Sequence, residues 1–446
     1  MYQMREFGEK EQEKKKMTEV QTFSVPFDLV EIKKNFTLNT NHPSKPSKDQ
    51  LINQAFKFHS EGNMSEAAKY YQYFIDQGFK DHKVFCNYGV ILKKIGKLKE
   101  AEKLYRKAIA LNSHFAEAYL NLGNILRDLG NLQKAENSYR KAIEIDPHFL
   151  EAYLNLGNIL TNLGNIQEAE ELYGQAIALN PTFADAAWNL YGLSNSIKQA
   201  EERINQCLNM DKSHLKAKLT LSALKLHQGD QSLFNNLMES SHHDHPMMRS
   251  FRWTSTLENL PELFFHRWAL FDSMINKSKQ DRPFYEFGVW RGASFKYLIN
   301  TFKKGFGFDT FEGLPEAWHN QKIGAYSAEG IIPRIDDGIF VKGKFEETLP
   351  TFFSSSRPMA SIINFDADLY SSTLCALNYS KPVIDQHTIL IFDEFIINGN
   401  WEQDEYKALN EFCSKNNLNY EVLAVSYMTK QVAVKLLGIS TRGDNK

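Results

Sequence analysis

Six carboxylate side chains in the C-terminal half of the sequence each follow a short apolar run, which is where strands of an α/β protein end and ligands bind. They are Glu286, Asp309, Asp366, Asp368, Asp393 and Glu394. Carboxylates attract cations, accept hydrogen bonds from hydroxyl groups and are the ligands that Mg²⁺ prefers. Brought together, they would bind a cationic or hydroxyl-bearing ligand and a hard metal ion.

The first of these residues opens a glycine-containing turn in YEFGVWRGAS, residues 285–294. Gly288 and Gly292 allow the backbone to pass close to a ligand, and Ser294 begins a predicted helix whose first N–H groups are unpaired. The spacing differs from the Gly-x-Gly-x-x-Gly of dinucleotide-binding turns, and Glu286 would repel a pyrophosphate. Because S-adenosylmethionine carries a sulfonium and an ammonium group and no phosphate, the turn favours this methyl donor, with Asp309 suited to its ribose hydroxyls.

The elements that must position these residues alternate strand and helix from about residue 283 onward. Such alternation predicts a mostly parallel sheet with helices on both faces. The last two predicted strands, YEVLAVSYMT and QVAVKLL, leave no room for a crossover helix, so one of them must run antiparallel. Residues 260–276 predict an amphipathic helix that opens the domain. Residues 319–338 predict a lid whose Tyr326, Arg334 and Asp336 either touch substrate or are solvated loop residues.

Five motifs occur in order, EFGVWRGAS, GFDTFEGLP, GKFEETLP, FDADLYSST and ILIFDEF, and they resemble the macrocin O-methyltransferase (TylF-type) family over residues 255–436. The resemblance implies a Rossmann-like, S-adenosylmethionine-dependent methyltransferase that acts on sugar hydroxyls with a divalent metal, usually magnesium. It assigns the cofactor to Glu286, Gly288, Gly292, Ser294 and Asp309, and the metal to Asp366, Asp393 and Glu394. The family usually has two aspartates where this chain has Asp393-Glu394, so Asp368 is a substitute for Glu394.

These residues suit the chemistry that the resemblance implies. A sugar hydroxyl is a weak nucleophile, and magnesium held by carboxylates would orient it and lower its pKa. Asp366 and Asp368 are therefore the candidate catalytic residues. The proton acceptor stays open between Asp368 and His319, while His387 is predicted to lie in a turn before the fifth strand.

The first half of the chain repeats with a period of 34 residues, marked by Gly62, Gly96, Gly130 and Gly164. Alanine and tyrosine recur at the same interval. Such a period predicts helix pairs stacked into an α-solenoid, and the pattern resembles the tetratricopeptide repeat over residues 48–184. A degenerate unit and a capping helix extend the predicted solenoid to residue 229. The concave face of such a solenoid would bind a protein partner or an extended peptide.

Asparagine also recurs at this interval, on the predicted first helix of each pair. These residues are Asn53, Asn87, Asn121, Asn155 and Asn189. An amide offers both donors and an acceptor, so the column would grip the backbone of an extended peptide along a groove. Alternatively, the amides only position neighbouring helices.

Composition and the remaining segments complete the domain plan. We expect a polar, disordered arm at residues 1–47, the solenoid at 48–229, a linker at 230–254, the methyltransferase domain at 255–438 and a tail at 439–446. With 52 basic and 54 acidic residues, the net charge of −2 gives no electrostatic reason to expect nucleic acid. No apolar run suits membrane insertion, the charged start lacks a secretory signal, and four widely spaced cysteines predict reduced thiols in a cytoplasmic protein.

Two classes of function fit this plan. The first is an S-adenosylmethionine-dependent, magnesium-assisted O-methyltransferase for a sugar hydroxyl of a glycan or glycoconjugate, whose repeats recruit a protein partner or substrate. The second is a non-catalytic scaffold in which the repeats bind peptides and the methyltransferase fold is a degenerate binding module. Methylation of a protein side chain is a third option, which the acidic metal ligands disfavour because amine methylation requires no magnesium. Related methyltransferases often self-associate, so a homo-oligomer is consistent with the resemblance.

Overall fold

The computed structural model describes residues 46–439 of the 446-residue chain. The predicted N-terminal arm lies outside the described residues except for its last two, and the predicted tail lies outside them except for its first. The described chain separates into two compact units, one of residues 46–128 and 133–147 and the other of residues 129–132 and 148–439.

The first unit consists of helix pairs, as the 34-residue period predicts. Its helices are Lys48–Ser60, Met64–Asp76, His82–Lys94, Leu98–Leu111, Ala116–Asp128 and Leu132–Ile145. A tyrosine on the second helix of a pair packs against a glycine on the first. A Cβ added to Gly89 would lie 2.7 Å from the ring of Tyr105, and one added to Gly123 would lie 2.5 Å from the ring of Tyr139. Glycine and tyrosine therefore recur together because close packing of the two helices needs both.

The second unit begins with more helices of this kind and continues into a sheet. The helices that follow the first unit are Leu150–Asn162, Ile166–Leu179, Ala184–Tyr191, Ile197–Met210 and Leu215–His227. Trp268 Nε1 donates a hydrogen bond to the carbonyl of Thr161 at 2.7 Å, and the rings of Tyr191 and Phe265 lie 5.6 Å apart. The later repeats and the sheet domain thus share contacts across the predicted domain boundary.

Residues 230–254 differ from the predicted linker. The helices Ser232–Met238 and Pro246–Ser255 occupy most of this segment. Phe234 and Phe251 are buried in the same apolar core as the sheet. The prediction followed the polar, histidine-rich residues of the segment, but its apolar residues determine its structure because they are removed from water by packing.

The sheet is mixed and has eight strands within the described residues. They are β1 Glu262–Phe264, β2 Phe284–Phe287, β3 Gly305–Asp309, β4 Gly338–Lys342, β5 Ile362–Phe365, β6 Ile389–Phe392, β7 Asn419–Ser426 and β8 Val432–Leu437. Their spatial order is β1-β7-β8-β6-β5-β2-β3-β4. β8 runs antiparallel to both β6 and β7, as predicted, and the other pairings are parallel.

Five α-helices accompany the strands. They are Arg267–Lys277, Ala293–Phe302, Phe345–Phe352, Tyr370–Ser380 and Glu405–Asn416, with short 3₁₀ turns at Lys381–Val383 and Trp401–Gln403. The helix predicted over residues 260–276 begins only at Arg267, because the preceding residues 262–264 form β1, which pairs with β7. None of the helices within residues 46–439 is long and apolar enough to cross a membrane. All four cysteines are free thiols.

Four neighbouring parallel strands bring their carboxyl ends to one edge of the sheet, because β2 pairs with β3 and β5, and β5 pairs with β6. One phenylalanine from each strand forms a stacked ladder, Phe308, Phe287, Phe365 and Phe392, with ring centroids 4.8–5.4 Å apart. The ladder fixes the register. The residues directly after it therefore lie side by side at the edge: Asp309, Gly288, Asp366 and Asp393.

Candidate active site

Glu286 lies in β2 directly before the glycine turn and is fully buried. Its Oε1 accepts hydrogen bonds from Ser294 Oγ and, at 3.2 Å, from Asn364 Nδ2. Its Oε2 is buried and has no hydrogen-bond partner. Burial raises the pKa of Glu286 to about 8, although the bonds from Ser294 and Asn364 act in the opposite direction. The edge of the sheet therefore contains an acceptor oxygen that the protein leaves unsatisfied and that an ammonium group would satisfy.

The two glycines of the turn have backbone conformations that favour glycine. Gly288 has φ of +90° and Gly292 has φ of +77°. A Cβ on Gly288 would lie 1.8 Å from the carbonyl oxygen of Asp366, so the end of β2 can pass the end of β5 only without a side chain. Gly292 is the N-cap of the helix Ala293–Phe302. Ser294, in the first turn of this helix, directs its hydroxyl to Glu286.

Asp309 fastens the glycine turn to the end of β3. Its Oδ2 accepts hydrogen bonds from the backbone N–H groups of Val289 at 2.8 Å and Trp290 at 2.6 Å. Its Oδ1 accepts one from the N–H of Phe311 at 2.6 Å. The structure thus gives Asp309 a role in shaping the turn that the sequence did not indicate. Its predicted contact with ribose hydroxyls stays a prediction.

The carboxyl groups after β5 and β6 repel one another in a poorly solvated place. Burial, and next the charge of Asp393, raise the pKa of Asp366 well above its ordinary value. Burial, and next the charge of Glu394, do the same to Asp368, which has a left-handed φ of 59°. Glu405 belongs to this group although no motif indicated it. Its pKa is raised by burial and then by Asp368, and its Oε1 is buried without a partner.

The carboxylates after β6 are paired with two cations and accept hydrogen bonds from two amides, and none of these four partners was predicted from the sequence. Arg267 Nη2 donates to both oxygens of Asp393, each at 2.8 Å, and Gln431 Nε2 donates to Oδ1 at 2.6 Å. Lys430 Nζ lies 2.8 Å from Glu394 Oε2, which also accepts from Asn398 Nδ2 at 2.7 Å. Arg267 stands inside the apolar run FFHRWALF, an exception that could have drawn attention. Lys430 and Gln431 lie in and beside the β7–β8 turn, where no motif indicates a functional residue.

The predicted metal ligands Asp366, Asp393 and Glu394 reach the same edge of the sheet but do not form a metal site there. Within residues 46–439, no three His, Cys, Asp or Glu side chains are grouped so that they could hold a metal ion. Substituting Asp368 for Glu394 does not change this result. Because Asp393 and Glu394 are already paired with Arg267 and Lys430, the arrangement does not fit the magnesium site that the resemblance implies.

The predicted lid follows β3 and reaches toward these carboxylates. His319 Nε2 lies 2.9 Å from Asp404 Oδ2, and Trp318 Nε1 lies 3.4 Å from Asp404 Oδ1. Tyr326 packs edge-on to Trp290, with ring centroids 6.3 Å apart. Burial and then the charge of Asp368 raise the pKa of Tyr326 to about 12. The lid thus contributes an imidazole held by a carboxylate and a partly exposed phenol that packs against Trp290.

Three other residues named in the sequence of this domain, Arg334, Asp336 and His387, form no hydrogen bond or ion pair with the carboxylates of the site in the part of the chain that the structure describes. Arg334 and Asp336 in the lid are exposed. His387 lies in the turn before β6, as predicted, where its N–H donates to Asp385 at 2.8 Å.

The asparagine column is partly engaged inside the repeats. Asn121 Nδ2 donates to Cys86 Sγ at 3.5 Å, and Asn189 Nδ2 donates to Asn158 Oδ1 at 2.8 Å. Asn87 is hydrogen-bonded to the hydroxyl of Tyr71. Asn155 is half-buried and Asn53 is exposed. These contacts support a helix-positioning role for Asn87, Asn121 and Asn189, whereas peptide binding along the column stays a prediction.

Comparison with known proteins identifies the repeats. The family model described as tetratricopeptide repeat matches residues 116–149 and 150–183, and the model described as TPR repeat matches residues 89–127. The chain contains tetratricopeptide repeats.

The repeats are also similar in fold to three solved proteins. MamA is 20% identical with a TM-score of 0.34 and covers 38% of this chain and 94% of its own. PilF of Pseudomonas aeruginosa is 17% identical with a TM-score of 0.40 and covers 46% and 96%. YrrB, a TPR protein with an unusual peptide-binding site, is 18% identical with a TM-score of 0.35 and covers 42% and 100%.

A curated relative matches the chain beside these tetratricopeptide repeat proteins. It is the 8-demethyl-8-(2,3-dimethoxy-alpha-L-rhamnosyl)-tetracenomycin-C 4'-O-methyltransferase of Streptomyces olivaceus, which is 26% identical over 141 residues. The match covers 26% of this chain and 53% of the relative, so the chain spans about half the length of the curated protein that it matches. This distant similarity gives limited support to a methyltransferase joined to the repeats.

Proposed function

We propose that this protein is an S-adenosylmethionine-dependent O-methyltransferase that acts on a sugar hydroxyl of a glycan or glycoconjugate. The observation that carries the proposal is the unsatisfied, buried Oε2 of Glu286 under a glycine turn at the carboxyl edge of the sheet. A buried acceptor without a partner is unfavourable by about 1–3 kcal/mol, so its presence at a ligand edge points to a bound donor. The distant similarity to a rhamnosyl O-methyltransferase supports the choice of reaction and acceptor.

The turn suits the cationic end of this cofactor. When bound, S-adenosylmethionine supplies a methyl group on a positively charged sulfur. Glu286 Oε2 would accept a hydrogen bond from its ammonium group, and the absent side chain of Gly288 leaves the backbone open to close approach. Asp309 keeps the turn in place through the N–H groups of Val289 and Trp290. The site therefore favours a positive, phosphate-free ligand over a dinucleotide.

The acceptor would lie between the carboxylates of the edge and the lid. In the reaction the carbon–sulfur bond breaks, a carbon–oxygen bond forms to the sugar hydroxyl, and the hydroxyl proton leaves to a base. Asp366 and Asp368 stay the candidate catalytic residues, with Asp368 and the Asp404-bound His319 as alternative proton acceptors. Holding the hydroxyl oxygen in line with the methyl group would supply much of the rate. Magnesium is not part of this proposal, because two of the three residues predicted to bind it, Asp393 and Glu394, are engaged by Arg267 and Lys430.

The tetratricopeptide repeats would recruit a protein partner or present a substrate to the methyltransferase domain. Stacked repeats form extended surfaces that commonly bind peptides or proteins. Since the later repeats contact the sheet domain through Trp268 and Thr161, they are integrated with the domain that would perform the reaction.

Isothermal titration with S-adenosylhomocysteine tests the cofactor site. Wild type should bind with micromolar affinity, and Glu286→Gln should weaken binding by at least about tenfold, because the amide keeps the shape of the side chain but cannot ionise to pair with the ammonium group. Glu346→Gln, which changes an exposed glutamate on the helix Phe345–Phe352, is the matched control and should bind as wild type does. The acceptor class is then tested with labelled S-adenosylmethionine and cell fractions separated into glycans, glycolipids and proteins.

The outcomes separate the proposal from its main alternative. Absence of binding by a folded wild-type protein would contradict the methyltransferase proposal and favour a scaffold in which the repeats bind peptides. Label that appears in protein side chains would keep the methyl donor but overturn the sugar acceptor.

A further inference from the structure

We infer that Arg267 and Lys430 take the place of the divalent metal in this site, so that the acceptor hydroxyl is bound without magnesium. The inference rests on the proposed function, since it concerns how the same site holds its acceptor. It departs from the family resemblance, which assigns Asp393 and Glu394 to a metal ion.

Arg267 and Gln431 both bind the carboxylate of Asp393. One guanidinium nitrogen, Nη2, lies 2.8 Å from each carboxylate oxygen, and Gln431 Nε2 lies 2.6 Å from Oδ1. Asp393 is 6% exposed, so the carboxylate of this ion pair is nearly buried while the guanidinium is partly exposed. Separating a buried pair leaves an uncompensated charge and is strongly unfavourable. A metal ion that recruited Asp393 would first have to displace the guanidinium.

Lys430 engages Glu394 in a closed triangle of contacts. Lys430 Nζ lies 2.8 Å from both Glu394 Oε2 and Asn398 Oδ1, and Asn398 Nδ2 lies 2.7 Å from the same Oε2. Each member of the triangle bonds the other two. The longer side chain of Glu394, compared with the aspartate that the family usually has, therefore reaches a lysine in this chain.

The turn that carries Lys430 is itself held in place. The N–H of Ser426 donates to the carbonyl of Gln431 at 2.8 Å, and the N–H of Thr429 donates to Ser426 Oγ at 3.2 Å. Thr429 Oγ1 lies 2.8 Å from the same Ser426 oxygen. Lys430 has φ of +64°, a left-handed conformation that this turn stabilises. The backbone that carries the cation is thus ordered by hydrogen bonds within the turn, and its ammonium group is placed by Glu394 and Asn398.

Charge and donor geometry suit the two cations to the role of a metal. An arginine and a lysine together contribute two positive charges, the same formal charge as a magnesium ion. The remaining guanidinium nitrogens of Arg267, Nε and Nη1, make no hydrogen bond to any residue within 46–439, and the side chain is 28% exposed. They can donate to an acceptor hydroxyl and orient it, as bound magnesium would.

Binding of Mn²⁺, a paramagnetic substitute for magnesium, tests the inference directly. Electron paramagnetic resonance of free Mn²⁺ is recorded while wild type, Arg267→Gln and Lys430→Gln are titrated. Wild type should leave the free Mn²⁺ signal unchanged. Arg267→Gln should lower the free Mn²⁺ signal, with an affinity at least about tenfold above the detection limit of the wild-type titration, because the carboxylates lose a nearby positive charge. Arg252→Gln, at an exposed arginine on the helix Pro246–Ser255, should behave as wild type does.

Binding of S-adenosylhomocysteine by the same samples keeps the two proposals apart. Stoichiometric Mn²⁺ binding by wild type that Asp393→Asn abolishes would overturn this inference even if the cofactor binds. Cofactor binding by wild type without Mn²⁺ binding would support it, whereas Mn²⁺ exclusion without cofactor binding would contradict the proposed function alone. If Arg267→Gln fails to fold, Lys430→Gln and the wild-type titration still test the inference. Stoichiometric binding of Mn²⁺ by wild type would by itself contradict it.

Discussion

The repeat helices and the edge of the sheet differ in the kind of polar group that they bury. In the repeats, the Tyr139 hydroxyl donates to Asn124 Oδ1 at 2.8 Å, and the buried groups without a partner include the uncharged hydroxyls of Tyr105 and Tyr191. At the edge of the sheet, ionisable groups from distant parts of the chain are gathered, and two of them, Glu286 and Glu405, have an oxygen without a partner. Neutral bonds of the first kind stabilise packing, whereas unpaired buried carboxylates reduce stability.

This difference supports the proposed ligand site in the sheet domain. Residues that lower the stability of the folded state persist where a ligand or a reaction uses them. The raised pKa values of Asp366, Asp368 and Glu286 follow from burial that packing alone would not require. The unpaired hydroxyls of the repeats, such as that of Tyr105, are uncharged, and burying them is less unfavourable than burying an unpaired carboxylate.

Alanine at two glycines with the same left-handed conformation should give the largest contrast. Gly288→Ala places a Cβ 1.8 Å from the Asp366 carbonyl oxygen, which is backbone and cannot move away. We expect the free energy of unfolding to fall by at least about 4 kcal/mol, measured by chemical unfolding. Cofactor binding should be lost as well. Gly62→Ala in the first unit has φ of +77° and no atom within 4 Å of the added Cβ. It should lose only about 1 kcal/mol, so equal losses would contradict the close approach of β2 and β5.

The pH dependence of stability should distinguish the charged edge from the neutral repeats. The pKa of Glu286 is about 8 in the folded state against 4.5 for an ordinary glutamate. The folded state therefore binds more protons between these values, and this residue's contribution to stability is lost as pH rises through that window. Wild type should lose on the order of 4 kcal/mol relative to Glu286→Gln between about pH 5 and about pH 9.

Chemical unfolding of both proteins at each pH measures this difference. Because burial and also the charge of Glu286 raise the pKa of Asp366, the difference includes the change that the substitution makes to Asp366. Glu346→Gln is the control at an exposed position and should follow wild type at every pH. Parallel curves for wild type and Glu286→Gln would mean that Glu286 is ionised and stabilised in the folded protein.

The two regions also differ in how far the sequence predicts them. The solenoid was predicted well because each repeat is defined by contacts within one period, such as Gly123 with Tyr139. At the edge of the sheet, the antiparallel last strand and the motif carboxylates followed from strand order and spacing. Arg267 and Lys430 did not, because they approach Asp393 and Glu394 only after the chain has folded, from segments with no motif. The same limit explains the linker and the helix at residues 260–276, where long-range packing overrode local polarity and periodicity.

Equivalent tyrosines in two repeats test how completely the repeats satisfy their polar groups. The Tyr139 hydroxyl donates to Asn124 Oδ1, but the Tyr105 hydroxyl is buried with no hydrogen-bond partner. Tyr139→Phe should destabilise the protein by about 1 kcal/mol, and Tyr105→Phe should be neutral or stabilising. Thermal unfolding of the two variants measures the effects, with the phenyl ring and its packing against glycine unchanged in both. A loss at Tyr105 equal to that at Tyr139 would show that an interaction of the Tyr105 hydroxyl stabilises the fold.

The smallest expected effect separates the two interpretations of the asparagine column. Asn121 Nδ2 bonds to Cys86 Sγ, whereas Asn53 at the equivalent position of an earlier repeat is exposed. If the amides position helices, Asn121→Ala should lower stability by about 0.5–1 kcal/mol, and Asn53→Ala should change it by less than about 0.5 kcal/mol. If they bind a peptide, Asn121→Ala should keep its stability and lose capture of the partner. Because unfolding and capture are measured on the same variants, a peptide-binding column would appear as a change in capture alone. That outcome would indicate that the asparagines bind a peptide in the groove and do not position the helices.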